Sequence, residues 1–179
     1  SFMIHTEKFY RKYYKKGIDF KLSTSTYEEL ITKCHKKKKR IGLSVCDINT
    51  FDYVKHLNFD FYKLLSVSIN DEDLIKELTD LDKPVFISTG FNSTVSKIKK
   101  SLKLFKNFNK ITILHTPMTY ETSELNFKKI LDFKKLFKLP VGYSNHNNDF
   151  NSLNFLSFYD PKAIFIYIKP TRKKNRVYP

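Results

Sequence analysis

Six short apolar runs, with starts 20 to 29 residues apart, set the tightest limit on how this chain folds. They are Ile41–Val45, Phe61–Ser66, Val85–Ser88, Ile111–Leu114, Pro140–Ser144 and Ala163–Ile168. Each is mostly apolar on both faces and rich in β-branched or aromatic residues. A strand buried in a parallel sheet has that character. The spacing predicts strands near residues 41–45, 61–66, 84–88, 111–115, 140–144 and 163–168.

Helical patterns fill the intervals. Ser25-Thr26-Tyr27-Glu28-Glu29 offers a capping box ahead of Leu30, Ile31 and Cys34. Asp71, Glu72 and Asp73 suit the positive end of a helix carrying Leu74, Ile75 and Leu78. Val95, Ile98, Leu102 and Phe105 form one stripe, and Ile130, Phe133 and Phe137 another. Strand–helix alternation over six units means an α/β fold with a parallel sheet. Units of this size suit a (β/α) barrel, whose complete form has eight. The expectation is therefore an incomplete barrel of about six βα units, or an open sheet. Residues 23–170 form this domain, between a basic N-terminal segment, 1–22, and a basic C-terminal tail, 171–179. Ser1 and Phe2 ahead of Met3 read as an expression scar.

The 33 Lys and Arg against 18 Asp and Glu give a formal charge of +15. That excess suits a nucleic acid, an acidic membrane surface or an anionic small substrate. A general Lys-rich bias accounts for it equally well. An RNA-binding reading rests on His35-Lys36-Lys37-Lys38-Lys39-Arg40 and on Arg172-Lys173-Lys174-Asn175-Arg176. Such runs are more often a solvated helix end and a frayed tail. Only Arg11, Arg40, Arg172 and Arg176 offer the guanidinium fork that suits bases and phosphates, which argues against a nucleic-acid partner. No run of eighteen apolar residues exists, so no membrane span is expected. Cys34 and Cys46 are too few for a disulfide framework and fit a reducing cytoplasm.

Side-chain chemistry gathers at the C-terminal ends of the predicted strands, the edge that carries active sites in parallel α/β folds. Ser44 ends the first strand, and Lys63 and Ser66 lie in the second. Ser88-Thr89-Gly90, His115-Thr116 with Tyr120, and Ser144-Asn145-His146 follow the next three. Hydroxyls around one Lys make a cradle for a phosphate or carboxylate. The plainer alternative is that they are strand-end caps and satisfied core groups. His115 reads at least as well as a core residue as a ligand, and Cys46 as a small core residue. Asp47 and Asp149 read as helix caps.

Three segments in register carry a more specific signal. Tyr62-Lys63-Leu64-Leu65-Ser66, Lys83-Pro84-Val85-Phe86-Ile87-Ser88-Thr89-Gly90 and Pro140-Val141-Gly142-Tyr143-Ser144-Asn145-His146 resemble motifs of the sialic acid synthase (N-acetylneuraminate synthase) family. The resemblance runs from about Leu22 to Lys169. It implies an aldolase-type TIM barrel that condenses phosphoenolpyruvate with an N-acylated amino sugar. It also implies a divalent Mn or Mg ion polarising the sugar aldehyde. Carried over by motif, Lys63, Ser66, Ser88 and Ser144 hold phosphoenolpyruvate, with Ser44 in place of a family Thr. Tyr120 matches an active-site Tyr, and His146 matches one of two metal-binding His residues.

The departures are as specific. Ser68 stands where the family has an acid, and Met118 where it has an amide. Ile166-Tyr167-Ile168 replaces the segment that supplies the second metal His. One His does not hold a hard divalent ion alone, so no tightly bound metal is expected. The family's first two βα units and its C-terminal antifreeze-like domain have no counterpart here. Two readings follow: a divergent synthase that still binds phosphoenolpyruvate, or a non-catalytic binding or assembly module on the same fold. Open sheet edges invite a second chain, so a homodimer, or a partner supplying the missing strands, is expected.

Overall fold

The computed structural model describes residues 22–91 and 93–168, together with Phe2, Met3 and Arg11. The expected N-terminal segment and C-terminal tail, with His5, therefore lie almost wholly outside the described residues. Seven parallel strands pair in sequence order: β1 (Phe2–Met3), β2 (Gly42–Val45), β3 (Phe61–Leu64), β4 (Val85–Ser88), β5 (Ile111–His115), β6 (Val141–Ser144) and β7 (Ile164–Phe165). Among the described residues, five α-helices of a turn or more accompany them: α1 (Thr24–Lys36), α2 (Ile48–Val54), α3 (Glu72–Asp80), α4 (Val95–Leu102) and α5 (Lys128–Phe137). All six expected strands are present, the last shortened to two residues. β1 is an addition: Phe2 and Met3 pair with Leu43 and Ser44, and two residues form no apolar run to read.

The sheet curls. Strands lie about 4.8 Å apart, so β3 and β7 would stand roughly 19 Å apart in a flat sheet. Yet the rings of Phe61 on β3 and Phe165 on β7 have centroids 6.3 Å apart, and Phe86 on β4 lies 5.4 and 5.1 Å from them. The sheet is a half-barrel closed on itself by side chains, with β1 and β7 at its two edges.

Pleating divides the residues between two faces. In register, Leu43, Tyr62, Val85 and Ile111 lie on one face, and Ser44, Lys63, Phe86 and Thr112 on the other. The first set points outward to the helices and forms the core, where Phe51 of α2 packs edge-on against Tyr62 at 5.8 Å. The second set points into the barrel. Gly142 is required at the β6–β7 contact, because a Cβ there would stand 2.6 Å from the Ala163 carbonyl.

Side-chain caps fix the helix starts. Asp47 accepts from the Thr50 amide, Asp71 from the Leu74 amide and Thr94 from the Lys97 amide, each contributing about 1 kcal/mol. Asp149 likewise accepts from the Asn151 amide ahead of the 3-10 helix Phe150–Tyr159. The α1 cap is Ser23 rather than Ser25. Ser23 accepts from the Thr26 amide, which starts the helix two residues earlier than the capping box predicts. The run from His35 to Arg40 is a solvated helix end and turn, as expected.

Candidate anion site

The inner face gathers residues that are far apart in sequence. Lys63 Nζ donates to Ser144 Oγ at 2.9 Å, across three strand intervals of the curled sheet. Lys63 is 3% exposed, Ser44 4%, Ser88 2% and Ser144 0%. Ser44 is the register partner of Lys63 on β2. Ser88 lies two residues beyond Lys63's partner Phe86, on the same face. Its hydroxyl is buried with no hydrogen-bond partner. Ser66 is half-buried in the turn after β3. Its Oγ lies 3.2 Å from where a Cβ on Gly90 would be, so the glycine lets the ends of β3 and β4 approach.

Burial alone lowers Lys63 from 10.5 to about 8. Aromatic rings partly replace the lost water. The ammonium lies 4.7 Å from the Phe165 centroid and 5.7 Å from that of Tyr167. The Tyr167 ring also rests against His146, with centroids 5.0 Å apart. Burial, with the Lys63 charge second, lowers His146 from 6.5 to about 4. The imidazole is therefore neutral at pH 7 beside a cation.

Tyr120 is placed differently. It lies 57% exposed on the loop after β5, and its backbone carbonyl accepts from Asn147 Nδ2 at 2.6 Å. Asn147 in turn contacts Asn145, whose Nδ2 donates to the Asn147 carbonyl at 2.7 Å. These two asparagines pin the loop that carries His146 to the loop that carries Tyr120. Sequence reasoning missed Asn147, Phe165 and Tyr167 as parts of the site. Ala163, Phe165 and Tyr167 are half-buried on the inner face and alternate with exposed Ile164, Ile166 and Ile168, a period that a segment apolar on both faces conceals in the sequence.

Two other positions are structural. Ser68 is buried and its hydroxyl donates to the Cys46 carbonyl, tying the end of β3 to that of β2. His115 faces outward, its Nε2–H donating to the Leu125 carbonyl at 2.8 Å and its ring packing on Phe133 and Tyr143. Cys46 is 2% exposed, a core residue as expected.

The donors among the described residues do not suit a Mn or Mg ion. Among the described residues, no group of three or more His, Cys, Asp or Glu could hold a metal ion. The residue that the motif assigns to the metal, His146, has an ammonium and a phenol ring as neighbours. A positive neighbour and a single imidazole are the opposite of the carboxylate-rich set that a hard cation takes. No helix among the described residues is long and apolar enough to cross a membrane.

Comparison with known proteins agrees with this architecture. N,N'-diacetyllegionaminic acid synthase of Campylobacter jejuni is 32% identical over 133 residues, covering 70% of this chain and 39% of that protein. Human N-acetylneuraminate-9-phosphate synthase is 25% identical over 137 residues, covering 74% and 37%. The N-acetylneuraminic acid synthetase of Leptospira borgpetersenii, solved in complex with citrate, superposes with a TM-score of 0.81 at 18% identity. That match covers 92% of this chain and 60% of the synthetase, and it speaks for the fold. The chain spans less than half the length of the curated relatives named here. The NeuB family model matches residues 1–154, and the chain belongs to the NeuB family.

Proposed function

We propose that this protein serves nine-carbon sugar or surface polysaccharide biosynthesis in the cytoplasm as a sialic acid synthase-like chain. In this reading it keeps an anion site for a phosphoenolpyruvate-type ligand but has lost synthase turnover by itself. The observation that carries it is the Lys63–Ser144 hydrogen bond, with the unpartnered Ser88 hydroxyl on the same inner face. A cation and donor hydroxyls give charge-assisted bonds to a phosphate or carboxylate. Citrate, bound by the Leptospira synthetase, is a small polyanion of the same class. Support for lost turnover comes from the Ser68 tie, the exposed Tyr120 and the donor set around His146.

Calorimetric titration of phosphoenolpyruvate tests the site. Saturable binding is expected at millimolar concentration, and Lys63→Ala abolishes it. No saturation up to tens of millimolar, an affinity of about −2 to −3 kcal/mol, overturns the reading.

The partner proposal has its own support. Among the described strands, β1 and β7 stand at the edges, and the outer side of β7 leaves Ile164, Ile166 and Ile168 48%, 45% and 83% exposed. Phe155 and Phe158, from the crossover before β7, are 58% and 79% exposed. An open edge beside large exposed apolar groups invites another chain. We expect a homodimer, or a complex with a chain that adds the missing strands. Light scattering at high concentration reads this, and a monomer there, with no strand-donating partner co-purifying, contradicts it.

A further inference from the structure

We propose that the Lys63 amine is also a nucleophile that condenses with a small 2-oxo acid to form an imine. This goes beyond the anion reading and does not require it. The anion reading uses the ammonium; the imine uses the neutral amine. Four observations carry it. Lys63 sits on the inner face of the barrel, at the strand ends where β3, β4 and β6 converge. Lys63 is 3% exposed, and burial favours its neutral form over that of a surface lysine. Ser144 Oγ, 2.9 Å from Nζ, is placed to pass a proton. Ser88 Oγ, unpartnered and 2% exposed, is a donor for the carboxylate of such an acid.

Among the described residues, the titratable groups facing the amine are His146, neutral at pH 7, and the Tyr167 phenol; Ser44, Phe86, Ser88, Ser144 and Phe165 share the inner face. Among the described residues, no metal-binding or acidic cluster lies at Nζ.

The step balances without an oxidant. The Nζ lone pair attacks the ketone carbon, and the carbonyl π pair moves to oxygen. A proton leaves nitrogen for that oxygen through Ser144. The resulting hydroxyl departs as water with the second nitrogen proton, leaving a C=N bond. Amine plus ketone give imine plus water.

The test uses the full chain with pyruvate and sodium borohydride, which delivers hydride to the imine carbon and fixes the adduct. Peptide mapping by mass spectrometry then locates it. Label on Lys63 is expected at about tenfold or more above the mean of the other lysines, given its larger neutral fraction. Lys63→Arg, which keeps the charge, should lose that label. Label spread over exposed lysines with Lys63 unmodified overturns the proposal. The wild-type map alone decides this, so a variant that fails to fold leaves the test standing. Phosphoenolpyruvate has no ketone and reports only on the anion site. Binding of phosphoenolpyruvate without imine formation sinks this inference alone, and imine without that binding sinks the anion reading alone.

Discussion

Lys63→Met is expected to stabilise the protein while removing its affinity for small anions. Lys63 falls from 10.5 to about 8 on folding, through burial. At about 1.4 kcal/mol per unit, the charged amine costs the fold roughly 3 kcal/mol at pH 7. The sign follows from proton uptake. Between pH 8 and 10.5 the unfolded chain holds a proton that the folded chain does not, so stability rises with pH there. Below pH 8 the penalty is complete. Methionine removes it and fills similar space against Phe165. The gain is offset by the Ser144 hydroxyl, buried and now without its donor, at about 1 kcal/mol, and by about 1 kcal/mol of lost cation–π attraction. A net gain of about 1 kcal/mol remains, or 2–4 °C in Tm for a chain of this size. Lys63→Met with Ser144→Ala should gain more. Thermal melts at pH 7 and pH 10 check this: the gain is present at pH 7 and shrinks toward pH 10. A Lys63→Met protein less stable than wild type at pH 7 contradicts it. A charge that weakens the fold while facing the barrel interior is the pattern of a functional group.

Acid should destabilise the protein through His146. Its folded value is lowered to about 4, first by burial and then by Lys63. Between pH 6.5 and 4 the unfolded chain takes a proton that the folded chain refuses, so stability falls as pH falls. The full effect is roughly 3 kcal/mol by pH 4. His115, lowered by burial in the outer core, adds to the slope in the same direction. His146→Gln should flatten the pH profile of urea midpoints without abolishing it, since His115 remains. Lys63→Met should shrink the His146 contribution, because removing the positive neighbour raises its folded value toward 6.5. Superimposable profiles for wild type and His146→Gln would show that this imidazole is not buried as described.

The strands were legible because a parallel sheet covered by helices needs apolar runs, and 41–45, 61–66, 84–88, 111–115 and 140–144 supplied them at regular intervals. β1 was not legible, since two residues carry no periodicity. The positions of Ser44, Lys63, Ser88 and Ser144 at strand ends were legible from motif and spacing. Their mutual approach was not, because the Lys63–Ser144 contact depends on the curl of the sheet across β4 and β5. Sequence alone also left unseen that Phe165 and Tyr167 cap the ammonium. That contact arises from a period of two in a segment whose apolar residues on both faces hide it. Tyr120 matched by motif, yet sits on an exposed loop held through its backbone. A residue match fixes a chain position and leaves the side-chain direction open.

The measurement that bears most directly on the account is the pH dependence of phosphoenolpyruvate binding to the wild-type protein. The ammonium of Lys63 is the cation of the proposed site, and it titrates at about 8. Calorimetry at a series of pH values from 7 to 9.5 should show affinity falling as Lys63 loses its proton, with the decline centred near or above pH 8, since the bound anion favours the charged form. Saturable binding that weakens through this window, and is absent in Lys63→Met, is the predicted result. Binding that is unchanged across the window, or equal in Lys63→Met, would contradict the assignment of Lys63 as the anion's partner.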